Sequence, residues 1–491
     1  MTELIKKYSI FICVSAICIF ALSLYSCSGG GGGGSTASSD GGIGGSGYDS
    51  GYAMGDISAF GSIVVNGVEI ATSGASILMD GAPAAETDLK IGMTVLVKGA
   101  ANENGLVASA DQVVFINNLQ GPVTSVDTDN FTISALGQTI HYDASTIVDG
   151  IEPGDLKSGN VIEVSGVQGD GGAVTATYIR YVTEAYADGN AIEVMGVVSG
   201  LNAVGGEFTI GSLTIDYSGA QFTGLSSDEL ADGITVLVSG NSAVSGNILS
   251  ATQISSENIS PQLPDGASIN VKGLIQTSGA AGFTVSGWQA VTDSSTSYVQ
   301  GDASTLTVGT LIEMTGTASG GTITASRIVF LPQGNLKIQS KVTAVDTAAG
   351  TLTVLGKTIS VDTRTTFKDL VEPQNRDFSL QEIAVGEKLD ILAAVADAET
   401  AYAKLIKRIT ADDNVSLNGK VSSVSAPDLD VQGITVSTDE NDTVFVDQDG
   451  SSITYAQFMS AVDVGASVNV TGTLKSASTI RASRVEIDET E

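Results

Sequence analysis

Ile91-Gly92-Met93-Thr94-Val95-Leu96-Val97-Lys98-Gly99 is a short apolar run held between two glycines, and the chain repeats it. Copies stand at 158–166, 232–240, 308–316, 385–393 and 464–472, with Ala393 taking the place of the second glycine in the fifth of the six. Successive first glycines lie 67 to 79 residues apart, so the chain is a set of six tandem units. Each unit closes on an Ala-x-x-Ile or Ala-x-x-Val step, as at Ala176 to Ile179 and Ala482 to Val485. Each opens on a run such as Gly121-Pro-Val-Thr-Ser-Val126 or Lys341-Val-Thr-Ala-Val345.

Within a unit the hydrophobic period is two, as in Thr351-Leu-Thr-Val354, and β-branched residues dominate, which predicts strands. Asn66-Gly67 between two apolar runs predicts a hairpin with a type I′ turn. Leu136-Gly137, Gly211-Ser212, Gly287, Leu355-Gly356 and Gln432-Gly433 mark the same bend in the other units. A polar stretch follows that can carry a helical turn, as at Ser226 to Leu230. Its strongest form is Tyr455 to Val462, with Ser452 and Thr454 as candidate caps. Strand, hairpin, helical turn, strand, strand is the order of an OB-like barrel, although five-stranded barrels of other topology fit nearly as well. The fold class expected is all-β: tandem small five-stranded OB-like barrels at 54–118, 119–185, 192–258, 268–331, 335–411 and 414–488, joined by short segments into an extended row. The first glycine of each repeated run is expected to serve a turn with positive φ. The second is expected to serve a bulge or corner where a Cβ would collide.

These units resemble an uncharacterised bacterial module, domain of unknown function 5666, which occurs in tandem in exported proteins. The resemblance rests on Gly55-Asp-Ile-Ser-Ala-Phe-Gly-Ser-Ile-Val-Val-Asn-Gly-Val-Glu69, on Asp88-Leu-Lys-Ile-Gly-Met-Thr-Val95 and on the Ala-x-x-Ile closings. It implies architecture and an exported location, and it assigns no activity.

Residues 1–26 read as a leader: Lys6 and Lys7, an apolar run from Ile10 to Leu22, then Leu24-Tyr25-Ser26-Cys27. The segment resembles the bacterial lipoprotein signal, which implies cleavage after Ser26 and acylation, by palmitate or a similar chain, of the Cys27 thiol. Ser28 in place of an aspartate implies the outer membrane. The competing reading is an uncleaved membrane anchor, but glycines and not basic residues follow Cys27. Residues 27–53 are dominated by Gly, Ser, Ala, Thr and Asp and are expected to form a disordered tether. Cys13 and Cys18 fall in the leader, so no disulfide is expected within a mature chain.

The formal charge is -33, from 22 Lys and Arg against 55 Asp and Glu. Such a chain repels nucleic-acid phosphates and anionic lipid, so the expected partners are a membrane reached through the N-terminal lipid and an unidentified envelope protein or glycan. With 42% hydrophobic residues the units have enough apolar mass to fold.

Little in the chain points to chemistry. His141 is the sole histidine and lies in an alternating run, where an ordinary surface role is expected. Cysteine and histidine clusters for zinc are missing. Asp127, Asp129, Asp447 and Asp449 sit in acidic turns that could offer oxygens to calcium, but they read first as turn formers. Trp288, the only tryptophan, is expected in the core. The function expected is therefore a non-enzymatic envelope lipoprotein acting as a modular binding or spacer protein, with no catalytic residue, metal or cofactor. The alternative is a carbohydrate-acting or calcium-dependent surface enzyme using Asp and Glu. Its best location is the insert 368–383, with Asp369, Glu372 and Asp377.

Overall fold

Alternating apolar residues put one face of a strand into a core and leave the other free. In unit 4 the alternating runs become the opening strand Ser268–Gly279, hairpin strands Gly282–Val285 and Trp288–Val291, the glycine-flanked strand Leu311–Ser319 and the closing strand Thr322–Phe330. The opening strand pairs with the first hairpin strand, and the two hairpin strands pair with each other. The second hairpin strand runs parallel to the closing strand, which is antiparallel to the glycine-flanked strand. That strand in turn pairs back to the opening one. The ring is closed, and it matches the OB-like barrel expected. The computed structural model describes residues 50–128, 130–169, 172–256, 262–332, 334–395 and 401–488.

Units 2, 5 and 6 close the same ring. Unit 1 completes it through a single bridge between Ala71 and Ser109. In unit 3 the opening and closing strands are each split, into Ile192–Val197 with Ser199–Asn202 and Ile248–Ser250 with Gln253–Ser255. Each unit adds a short strand parallel to its closing strand, such as Ser297–Val299. A buried threonine ties this connection down in four units. The hydroxyls of Thr146, Thr296, Thr365 and Thr443 donate to the carbonyls of Ala176, Ala325, Ala403 and Ala482 at 2.7–2.9 Å. Those are the alanines of the Ala-x-x-Ile closings.

The helical element is a single 3₁₀ turn in four units, as at Pro153–Asp155. At Ser226 it is a turn closed by the Glu229 N–H on the Ser226 carbonyl. Among the described residues only the last unit builds an α-helix, Tyr455–Ala461, whose cap is Thr454 accepting from the Gln457 N–H; Ser452 lies in the preceding strand Ser452–Ile453. All six first glycines have φ between +86° and +96°. At the second glycine of units 1, 2, 4 and 6 the strand register slips, and a Cβ on Gly99 would lie 1.9 Å from the Ser109 carbonyl oxygen. Unit 5 makes the same irregularity between Leu392 and Ala393.

Three features differ from the sequence reading. The strand Ser50–Ala59 begins inside the segment assigned to the tether, because Ser50 to Asp56 pair with Ala100 to Thr94. Five of the six opening strands, all but the split one of unit 3, are longer than the five to seven residues that the alternation suggests, reaching 12 in Asn414–Ser425, because each serves two neighbours. The second neighbour is another unit. The opening strands of units 2 and 3 pair antiparallel at Glu193↔Gln120 and Val194↔Leu119, and those of units 5 and 6 do so at Ile338↔Leu417. The opening strand of unit 1 pairs in parallel with that of unit 4, Tyr52 facing Ile269, across two intervening units. Units 2 and 3 share one continuous core, as do units 5 and 6. The core of unit 4 reaches Tyr52, Met54 and Leu96 of unit 1. An extended row would put contacts only between sequence neighbours, so these pairings gather the units into one compact body.

Candidate functional site: the joints between units

Cys27, the tether up to residue 49 and Asp129 lie outside the described residues. His141 is exposed at the end of the hairpin strand Gln138–His141. Asp127 accepts the Asn130 N–H at 3.0 Å, and Asp447 accepts those of Asp449 and Ser451 at 3.2 and 2.9 Å, so both shape their turns. Trp288 is buried, in the core of unit 4. Among the described residues no group of three or more His, Cys, Asp or Glu is arranged to hold a metal ion.

The insert 368–383 is a clamp. Asp369 is buried, ion-paired with Arg408, and accepts the Val371 and Glu372 N–H groups at 2.9 Å, which holds its carboxyl below the usual carboxylate range against the cost of burial. Glu372 and Asp377 do not join it in a paired carboxylate site: Glu372 contributes its N–H to Asp369, and the Asp377 N–H donates to Asn375. Arg376 reaches into unit 1, donates to the carbonyls of Glu86 and Leu89 at 2.9 Å each, and stacks 3.8 Å over the Phe60 ring. Lys368 donates to the Val148 carbonyl of unit 2 at 3.5 Å, and burial pushes its amine down.

Unit 5 is the electrostatic counterweight of the chain. It holds ten of the 22 Lys and Arg residues, whereas unit 3 holds none. Arg364 forks onto Glu313 of unit 4 at 2.8 and 3.2 Å. Glu313 also accepts from Asn270 at 3.3 Å, and Asn270 accepts from Asn66 of unit 1 at 2.6 Å, so one buried polar chain links units 1, 4 and 5. Lys272 of unit 4 pairs with Asp56 of unit 1 at 2.5 Å. Lys404 of unit 5 lies near that pair, and burial, then the Lys272 charge, lower its affinity for a proton.

Units 1, 2 and 3 meet at a second polar joint. Asn117 donates from Nδ2 to Asp80 of unit 1 at 3.2 Å and to Glu193 of unit 3 at 3.0 Å. Its own Oδ1 accepts the Leu119 N–H at 3.1 Å, which fixes the amide in that orientation. Beside them Glu163 is fully buried and receives Arg180 through two hydrogen bonds, at 3.0 and 2.5 Å. Burial pushes Glu193 up to about 7, the Asp80 charge adds to the rise, and hydrogen bonds from Ser239 and Asn117 oppose it. Where units 1 to 4 converge, a cavity of about 20 Å³ is lined by Met54, Thr94, Asn118, Gln168, Met195 and Lys272, a volume that suits one water and no larger ligand.

Six segments of the chain, 54–110, 120–180, 195–255, 257–329, 340–407 and 418–486, match one family, described as a domain of unknown function (DUF5666). The chain belongs to the DUF5666 family. No curated protein matches it. The recurrent elements of the DUF5666 units, namely the turn glycines, the closing alanine, the bulge and, in four units, the threonine tie, all sit inside single barrels. The joints instead use residues that differ from unit to unit. Sequence reading passed over those joint residues, yet a signal for them exists. Glu163 and Glu313 occupy the middle of otherwise apolar strand runs, Val-Ile-Glu-Val and Leu-Ile-Glu-Met, where a carboxylate needs a buried cation: Glu163 finds it in Arg180 of its own unit, and Glu313 in Arg364 of unit 5. Units 1 and 3 have Leu96 and Leu237 at the corresponding position.

Proposed function

We propose that the protein is a lipid-anchored envelope protein, held through Cys27, in which six DUF5666 barrels form one preassembled binding or spacer body that carries no catalysis. The observation that supports this reading is the use made of the buried charged groups, the candidate Asp369 among them. Asp369 is committed to Arg408, Arg376 and Lys368 fasten unit 5 to units 1 and 2, Glu313 is buried against Arg364 of unit 5, and Glu163 is taken by Arg180 of its own unit. Residues in such positions stabilise an arrangement of barrels, which is what a rigid ligand-presenting or spacing element requires. Lipidation at the outer membrane would supply attachment, and the acidic surface would keep the body clear of anionic head groups. An envelope protein or a glycan remains the partner class, since phosphates of nucleic acid meet a chain of charge -33.

Two measurements test this. Metabolic labelling with palmitate should mark the full chain and leave Cys27→Ser unlabelled and released from the membrane fraction; equal labelling of both overturns the anchor. A panel of polysaccharides incubated with the protein, with and without calcium, should return unchanged. Release of reducing ends by the intact protein that is lost in Asp369→Asn would instead establish a carbohydrate-acting enzyme.

A further inference from the structure

We propose that the joint of units 1, 2 and 3 is a proton-controlled latch, in which Asp80 and Glu193, bridged by the Asn117 amide, hold the units together with one carboxyl protonated and loosen them when both are ionised. The inference is independent of the lipid anchor and of the partner's identity.

The geometry carries it. Two carboxylates from different units accept from the same nitrogen, at 3.2 and 3.0 Å, and that nitrogen cannot turn away because its oxygen is engaged by the Leu119 N–H. One neutral amide cannot balance two negative charges so close together. The charged groups around them do not supply the balance. Arg180, on the closing strand Ala173–Thr183 of unit 2, is taken by Glu163 on the adjacent strand Val161–Gln168. Tyr178 on that closing strand donates to Asp149 of the short strand Ile147–Asp149. The strands flanking Glu193 present Gln120 from unit 2 and Ser239 from unit 3, both uncharged, with Ser239 donating at 3.4 Å. No lysine or arginine exists anywhere in unit 3.

The two carboxyls differ in access. Glu193 is nearly closed off, whereas Asp80 lies at the exposed rim of a turn with φ +50°, so solvent protons reach the pair through Asp80. Although the residue stands at an exposed rim, partial desolvation of its carboxyl and then the Glu163 charge raise Asp80, while the Asn117 hydrogen bond and the Arg180 charge oppose the rise. The sign follows from burial. The folded pair binds a proton more tightly than the unfolded chain does, so the joint is firmest below the ordinary glutamate range and weakens as pH rises through about 7. Loss of the proton leaves two carboxylates facing one amide, and separation of unit 1 from unit 3 relieves them.

The test is hydrogen–deuterium exchange of the full chain at pH 5.5 and 8.0, corrected for intrinsic exchange, together with melting temperature across that range. The expected result is faster exchange at pH 8.0 in segments 76–84 and 192–197, confined to that joint, with a midpoint near neutrality. Glu193→Gln, which mimics the protonated acid, should gain in melting temperature over the parent as pH rises from 5.5 to 8.0. Asp80→Asn should move the midpoint down by removing the neighbouring charge, which keeps the idea testable if the first variant does not fold. Equal destabilisation of Glu193→Gln at both pH values, or an unchanged pH profile in Asp80→Asn, overturns the latch.

Discussion

A Cβ at position 472 would lie 2.1 Å from the Arg481 carbonyl oxygen, whereas one at position 465 would meet nothing within 4 Å, and yet both positions are glycine. The reasons are different. Gly472 stands at a slip of register between the glycine-flanked strand Ser467–Ser476 and the closing strand Thr479–Ile487, where backbones approach closely. Gly465 has φ +95° in open space, so its constraint is the backbone conformation alone. Gly472→Ala should therefore cost about 1–3 kcal/mol through forced displacement of the closing strand. Gly465→Ala should cost about 1–2 kcal/mol through conformational strain. Urea unfolding checks both, with a lower midpoint at unchanged slope. A further distinction is local: exchange protection around Arg481 should fall only in the first variant. Ala393 shows that the bulge can accept a methyl when the surrounding strands are those of unit 5.

At the level of elements, the hairpin bends show packing overruling local preference. Leu136 and Leu355 adopt φ of +48° and +51°, a region that favours Asn or Gly, and both are buried. Burying a leucine contributes about 1.5–3 kcal/mol, which outweighs the left-handed strain of about 1–2 kcal/mol. Leu355→Asn improves the turn chemistry but removes an apolar side chain from the core shared by units 5 and 6. It should therefore destabilise, by about 1–3 kcal/mol, and a stabilised variant in thermal melting would refute this balance. The insert 368–383 makes a second case. Arg376→Ala deletes two bonds to unit 1 carbonyls and the stack on Phe60, so it should speed proteolysis or exchange across the insert while leaving the Phe367–Phe378 ring contact in place. Such elements mark how far the sequence could be read. Turn glycines, the Asn66-Gly67 hairpin, the Thr454 cap and the barrel order are local or repeated, so their signals survive in a single sequence. The pairing of Tyr52 with Ile269 is neither, since nothing near residue 52 encodes which distant edge it meets. The partner of Glu313 was hidden for the same reason: a carboxylate inside an apolar strand shows that a cation is buried with it, but not that the cation comes from another unit.

For the whole molecule, the question is how six barrels melt. A row of independent units unfolds as separate events, whereas shared cores couple their members. Units 2 and 3 share one core and units 5 and 6 another, so each pair should melt together. Unit 5 then couples its pair to unit 4 through Arg364 and Glu313, a contact whose carboxylate is almost wholly enclosed while the guanidinium is about one-third exposed. Arg364→Ala leaves that carboxylate without its cation, next to Asn270 and its chain to Asn66. Leaving a buried charge unpaired costs about 3–5 kcal/mol, and solvent reaching this arginine reduces the expected loss to roughly 1–3 kcal/mol. Glu313→Gln in the Arg364→Ala background removes the stranded charge while keeping the amide contacts, and should recover most of the loss. Scanning calorimetry of the full chain should accordingly resolve fewer transitions than there are barrels. Arg364→Ala should lower and split the transition that contains units 4 and 5, and the double variant should restore its position. Six separable transitions in the parent, or a double variant no more stable than Arg364→Ala, would mean that the barrels touch without being coupled.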